Sequence, residues 1–155
     1  MAVSFHDLFR PEQIVLELCA STEDAAVAEI VQRLHAAKRI EDCDAFDHAV
    51  MERESRSSTN TGEGVAFPHA RTDLVDDLVL GIGRSKAGVK FGGPDAAVHM
   101  VFLLGVPQRL VTDYLVCVGT IARLVKARER WEALMNATTA EEFAEILRSG
   151  ALLLE

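Results

Sequence analysis

The apolar positions of this chain change period several times, and each change predicts an element. Phe5, Leu8 and Phe9 are spaced to give one apolar face to a short helix in an approach segment, residues 1–13. Ile14-Val15-Leu16-Glu17-Leu18 reads as a β run. Ser21-Thr22-Glu23-Asp24 is a helix start, with capping hydroxyls and acids in the first turn. Val27, Ile30, Val31 and Leu34 then recur at helical spacing towards Lys38. Asp42 or Asp44 is placed to cap a second helix with Phe46, Ala49 and Val50 inward. That helix runs out into the most polar stretch of the chain, Arg53 to Gly64, crowded with hydroxyls and glycine and read as a loop.

Val65-Ala66-Phe67 is a short apolar strand stopped by Pro68, and Leu78 to Gly83 is another. Ala87 to Asp95 combines glycines, a proline and a brief alternation, as a small hairpin or edge strand does. Val98 to Leu104 is almost wholly apolar, the pattern of a central strand covered on both faces, and Pro107 ends it. From Thr112 to Val125 the period is helical, with Leu115, Val118, Ile121, Ala122 and Val125 on one face. Trp131, Leu134 and Met135 mark a short helix, and Thr139 opens a last one with Phe143, Ile146 and Leu147 inward. Strands and helices interleave throughout, which predicts an α/β fold with helices on both faces of the sheet.

Composition narrows the classes. At 155 residues the chain fits one domain, taken as 1–155, and 49% hydrophobic residues suffice for a full core. The balance of 16 basic against 24 acidic residues, formally −8, argues against a partner bound through its phosphate backbone, so no nucleic acid is expected. Cys19, Cys43 and Cys117 lack the paired spacing of a zinc site and read as small buried hydrophobes in a reducing compartment. No signal peptide and no run of about 20 apolar residues is present, so a cytoplasmic protein without membrane insertion is expected.

Of the five histidines, His6, His35 and His48 sit in ordinary settings. His99, in the central strand, reads either as a hydrogen-bonded core histidine or as one reaching the sheet end where the polar loop lies. His69 stands apart: it follows a strand and a proline, which fixes the backbone just before it, and comes after the hydroxyl- and glycine-rich loop. Hydroxyls at Ser58 and Thr59 and amides around Gly62 and Gly64 are placed to hold phosphate oxygens. Arg53 or Arg56 would add charge-assisted hydrogen bonds. The residues alone leave two readings open, a histidine nucleophile beside an anion cradle and a turn histidine beside a polar loop. No metal motif, nucleotide P-loop or serine elbow competes.

Arg53-Glu54, Ser58-Thr59, Gly62, Gly64 and Val65-Ala66-Phe67-Pro68-His69 together resemble the signature of the enzyme IIA domains of the phosphoenolpyruvate-dependent sugar phosphotransferase system, fructose/mannitol class, which includes a nitrogen-regulatory branch. Ala97 to Pro107 resembles the family's central strand with its terminal proline, and the helices after it also fit. The resemblance implies a single three-layer domain with a mixed, mostly parallel sheet. It implies that His69 takes a phosphoryl group on Nε2 from the phosphocarrier protein HPr or its nitrogen-branch counterpart, with no cofactor. Arg53 would be the active-site arginine, and Ser58 and Thr59 would line the phosphohistidine pocket. The onward partner would be a IIB domain or a regulatory target.

Three positions depart from the family pattern. Tyr114 stands where a second histidine is common, seven residues after Pro107; its hydroxyl donates a hydrogen bond but is no comparable proton acceptor near neutral pH. Asn60 replaces a usual glycine and tolerates positive φ better than most residues, and Ala70 stands where glycine is common. Tyr114 tilts the expected role towards nitrogen-type regulation by phosphorylation state. The alternatives are a sugar-specific enzyme IIA feeding a separate permease and a degenerate binding module without phosphotransfer.

Overall fold

A computed structural model describes residues 4–154; residues 1–3 of the expected approach segment, and residue 155, lie outside the described residues. The sheet is organised on β5 (Ala97–Val106), in the order β1-β4-β5-β2, with β3 also pairing with β5. β4 (Val79–Lys90) runs antiparallel to β5, and β1 (Ile14–Val15) runs parallel to β4. β2 (Val65–Ala66) and β3 (His69–Arg71) both lie parallel to β5, the first opposite Met100 and Val101, the second opposite Leu104, Gly105 and Val106. The sheet is mixed and mostly parallel, as expected.

β5 reads as a continuous apolar run because successive side chains enter two different cores. Met100, Phe102 and Leu104 pack with Cys117, Ile121 and Leu124 of α4 (Val111–Lys126), Leu134 of α5 (Arg128–Asn136) and Phe143 and Leu147 of α6 (Ala140–Leu154). Val101 and Leu103 pack on the other face with Val27, Ile30 and Leu34 of α2 (Glu23–Ala36) and Phe46 and Val50 of α3 (Cys43–Arg56). α1 (Phe5–Leu8) brings Leu8 to the first of these cores. Asp42 is the cap of α3, its carboxylate accepting from Ala45 N at 3.0 Å.

Several elements differ from the sequence reading, each for a physical reason. α3 continues to Arg56, so Arg53 to Arg56 are helical and not loop; Phe46, Val50 and Glu54 form one buried stripe while the polar residues around them face out. β1 stops at Val15. β4 absorbs residues 87–90 of the expected hairpin, because a bulge between Arg84 and Val89 breaks the alternation and hides the continuity of the strand. His69 opens a strand. α4 turns Cys117, Ile121 and Leu124 inward and leaves Leu115 62% exposed, since the buried stripe is offset from the one expected. Cys117 is buried, but Cys19 is exposed. No helix among the described residues is long and apolar enough to cross a membrane.

Gly105 matters most for the site. It pairs with Ala70 in β3, and a Cβ there would stand 2.9 Å from the Phe46 ring and 3.3 Å from Val75. The bare backbone lets α3 settle directly on the strands that carry His69. Gly105→Val should force Phe46 outward and destabilise the protein by about 1–3 kcal/mol, the usual range for overpacking a close-packed core. Urea unfolding read by circular dichroism measures it, and a stability equal to the wild type would show that α3 has room to move.

Candidate functional site

Pro68 has no N–H to give to the sheet, so the edge strand beside β5 is interrupted between β2 and β3. Pro68 O still accepts from Leu104 N at 3.0 Å, as Gly64 O accepts from β5, so alternation turns the N–H and carbonyl of Phe67 to the outer edge. Phe67 N–H donates to Thr59 O at 3.3 Å. Phe67 O lies 3.1 Å from Nδ1 of His69. A carbonyl oxygen only accepts, so Nδ1 carries the hydrogen and Nε2 is left with a free lone pair.

The His69 ring is half-buried beneath Tyr114 of α4, with ring centroids 5.0 Å apart and planes tilted by 37°. The Tyr114 hydroxyl oxygen lies 3.4 Å from Nδ1 and at most shares the hydrogen given to Phe67 O. Burial lowers the His69 pKa from its usual 6.5; the Phe67 carbonyl opposes this, Arg53 adds to it, Glu54 opposes it and Arg71 adds to it. Burial raises the Tyr114 pKa, against the pull of Arg53 and Arg71. Near pH 7 the pair is therefore a neutral imidazole under a neutral phenol.

A cleft of about 540 Å³ opens over this ring, lined by Ala49, Glu52, Arg53 and Arg56 of α3, by His69, Ala70 and Arg71 of β3, and by Tyr114. Glu52 pairs with Arg56 at 3.0 Å. Among the described residues Arg53 and Arg71 make no ion pair; Arg53 Nη1 donates to Ser57 O at 3.0 Å. Two guanidiniums without ion pairs beside a neutral imidazole suit a small anion with several oxygens.

Of the residues singled out from sequence, the fold brings Arg53, His69 and Tyr114 to this cleft, with Arg56 and Arg71. The loop residues line up differently. Residues 59–66 fold back as a narrow hairpin, with Thr61 N bonded to Val65 O and Asn60 bridged to Ala66, which carries Gly62 and Gly64 to the end away from the ring. The loop amides are largely taken: Thr59 N donates to Glu54, Asn60 N to Ser58 Oγ, and Gly62 N to Asn60 Oδ1. Ser58 lies against Gly92, and Asn60 Nδ2 donates to Phe91 O at 2.8 Å, so both fasten the hairpin to the turn between β4 and β5. None of Ser58, Thr59, Asn60, Gly62 and Gly64 lines the cleft. His99 precedes Leu104, the partner of His69, by five positions on β5, roughly 16 Å along a strand. Its Nδ1 lies 2.9 Å from Ser85 O, and it is not part of the cleft. No cluster of His, Cys, Asp and Glu among the described residues could hold a metal ion.

The sequence reading gave no role to Glu54. The residue is 4% exposed and its carboxylate accepts from both Thr59 N at 2.7 Å and Thr59 Oγ1 at 2.8 Å. The available signal was helical: Glu54 falls on the Phe46 and Val50 stripe, where an acid needs a reason to be.

Residues 7–150 match the family described as "Phosphoenolpyruvate-dependent sugar phosphotransferase system, EIIA 2". The chain belongs to that family. A nitrogen regulatory protein of Bradyrhizobium diazoefficiens is 29% identical over 146 residues, covering 91% of this chain and 92% of that protein. The fructose-specific EIIABC component of Bacillus subtilis is also 29% identical, over 142 residues, but this chain spans only 22% of its length. The crystal structure of nitrogen regulatory protein IIA-Ntr from Neisseria meningitidis superposes with a TM-score of 0.82 at 26% identity, covering 92% of this chain and 97% of that one. The resemblance carried by Arg53 to His69 is thus one of family, and enzyme IIA proteins of this family act in phosphotransfer.

The electrostatics of this enzyme IIA site set a pH dependence. An NMR titration should place the His69 midpoint below 6.5, and Arg53→Ala should raise it by removing a nearby positive charge. The Nε2 lone pair should be available above that midpoint and lost as pH drops through it, because the imidazolium has no lone pair. A midpoint above 6.5 would contradict the burial described for the ring.

Proposed function

We propose that this enzyme IIA protein accepts a phosphoryl group on Nε2 of His69 from an HPr-type phosphocarrier and that its phosphorylation state regulates a partner protein. The observation that carries the reading is the ring geometry: Nδ1 is held by Phe67 O at 3.1 Å, and the ring sits in a cleft with Arg53 and Arg71, which make no ion pair among the described residues. In the transfer, the Nε2 lone pair forms the new N–P bond as the N–P bond of the donor phosphohistidine breaks, and that electron pair returns to the donor imidazole. Nδ1 keeps its hydrogen on Phe67 O. Such transfers need alignment and stabilisation of charge spread over the phosphoryl oxygens more than covalent help. Arg53 and Arg71 supply the charge, and no nucleotide or metal is called for.

The regulatory form is favoured by the nitrogen regulatory relative, which this chain matches over nearly the full length of both, and by Tyr114 in place of a second histidine. The fructose-specific relative favours a second reading, in which His69 passes the group to a IIB domain serving a permease.

Incubation with phosphoenolpyruvate, enzyme I and HPr or its nitrogen-branch counterpart should add one acid-labile phosphoryl group, read by intact-mass spectrometry. His69→Ala should abolish the addition, and Arg53→Ala should slow it on the order of 10²-fold, as loss of one preorganised charge does. No labelling with any of these carriers would leave the non-phosphorylated binding module. The two roles separate on a further measurement: Tyr114→His should speed transfer onward to a IIB domain, and a wild-type protein that already discharges rapidly to IIB would favour the sugar-specific role.

A further inference from the structure

Glu54 presents an energetic oddity. Its carboxylate is 4% exposed, yet among the described residues it has no cationic partner. Arg53, its neighbour in sequence, turns away to Ser57 O and the cleft. Burying a carboxylate is costly unless its oxygens are well supplied with donors. Here both oxygens are engaged by one residue: Oε2 accepts from Thr59 N at 2.7 Å and Oε1 from Thr59 Oγ1 at 2.8 Å. Charge-assisted bonds this short, to two atoms of a single residue, fix its orientation as well as its position.

The orientation of Thr59 is passed on. Thr59 O accepts the Phe67 N–H at 3.3 Å, the contact that holds Phe67 on its N–H side at the outer edge of the sheet. Phe67 O in turn accepts from His69 Nδ1 at 3.1 Å. Three consecutive links therefore run from the last turn of α3 to the imidazole, and each sets the geometry of the next.

We infer that Glu54 is a positioning residue for His69, acting through Thr59 and the Phe67 peptide to hold the hydrogen on Nδ1 and direct the Nε2 lone pair into the cleft. A purely structural carboxylate would affect only stability when replaced. A positioning carboxylate also changes which nitrogen of His69 carries the hydrogen. Glu54→Gln tests this with little change of shape: it removes the charge behind both bonds, and its NH₂ group can meet Thr59 Oγ1 only by reversing that bond, so the grip on Thr59 loosens. The inference rests on the phosphotransfer reading for its rate measurement only; the tautomer measurement stands without it.

The experiment uses the full unphosphorylated chain with ¹⁵N-labelled histidine. In the wild type the His69 resonances should show a protonated Nδ1 and a bare Nε2. In Glu54→Gln, with folding verified by thermal unfolding, a mixture of both tautomers should appear, and phosphorylation by the carrier should slow by about tenfold or more, as expected of a misdirected nucleophile. Thr59→Ser keeps both donors and should behave as wild type in both measurements. If Glu54→Gln does not fold, Thr59→Ala, which removes only the hydroxyl donor, carries the same expectation. A folded Glu54→Gln or Thr59→Ala protein with the wild-type tautomer pattern overturns the inference. A wild type that never labels overturns the phosphotransfer reading, while the tautomer shift still decides the role of Glu54.

Discussion

The site depends on one residue, Phe67, at the open edge of the sheet. Gly64 and Pro68 on either side of it give their carbonyls to β5, so alternation along the strand turns the Phe67 N–H and carbonyl outward. The N–H is tied to the loop at Thr59 and the carbonyl to the imidazole of His69. A backbone carbonyl at a sheet edge thus holds the imidazole hydrogen, as a separate acidic side chain could.

Around that residue the molecule is built to bring two elements close. α3 contributes the cleft arginines at its exposed end and Glu54 on its buried side, and β3 contributes His69. Gly105 allows the approach by leaving the Phe46 ring room against the sheet. On the opposite face α4 supplies Tyr114 as a roof. The three parts arrive from both sides of the sheet, so the cleft exists only when both cores are packed.

Much of this was legible beforehand. The alternation of periods along the chain gave the layered α/β fold, the continuous apolar run gave β5 as the central strand, and the spacing from Arg53 to His69 gave the family. The failures have a common cause. Polar residues at Arg53 to Arg56 look the same in a loop as on the exposed side of a helix, and only the Phe46 and Val50 stripe extended to Glu54 distinguishes them. Gly62 and Gly64 read as a cradle because glycine amides are free in sequence; in the fold, φ values of 84° and 87° serve a tight hairpin. His99 shares a strand with the register partner of His69 but not a position on it, and distance along a strand is invisible until pairing is known.

The hydrogen bond to Phe67 has one last consequence. On the proposed reaction His69 begins and ends with the same hydrogen on the same nitrogen, so the phosphoryl group is received without a proton being released to water or taken from it. Acidity would then govern how many molecules are ready to react. It would leave unaltered the partition of phosphoryl groups between two histidine carriers that keep their hydrogens in the same way, and such a chain of carriers would report on the supply of its donor and not on the pH of its surroundings.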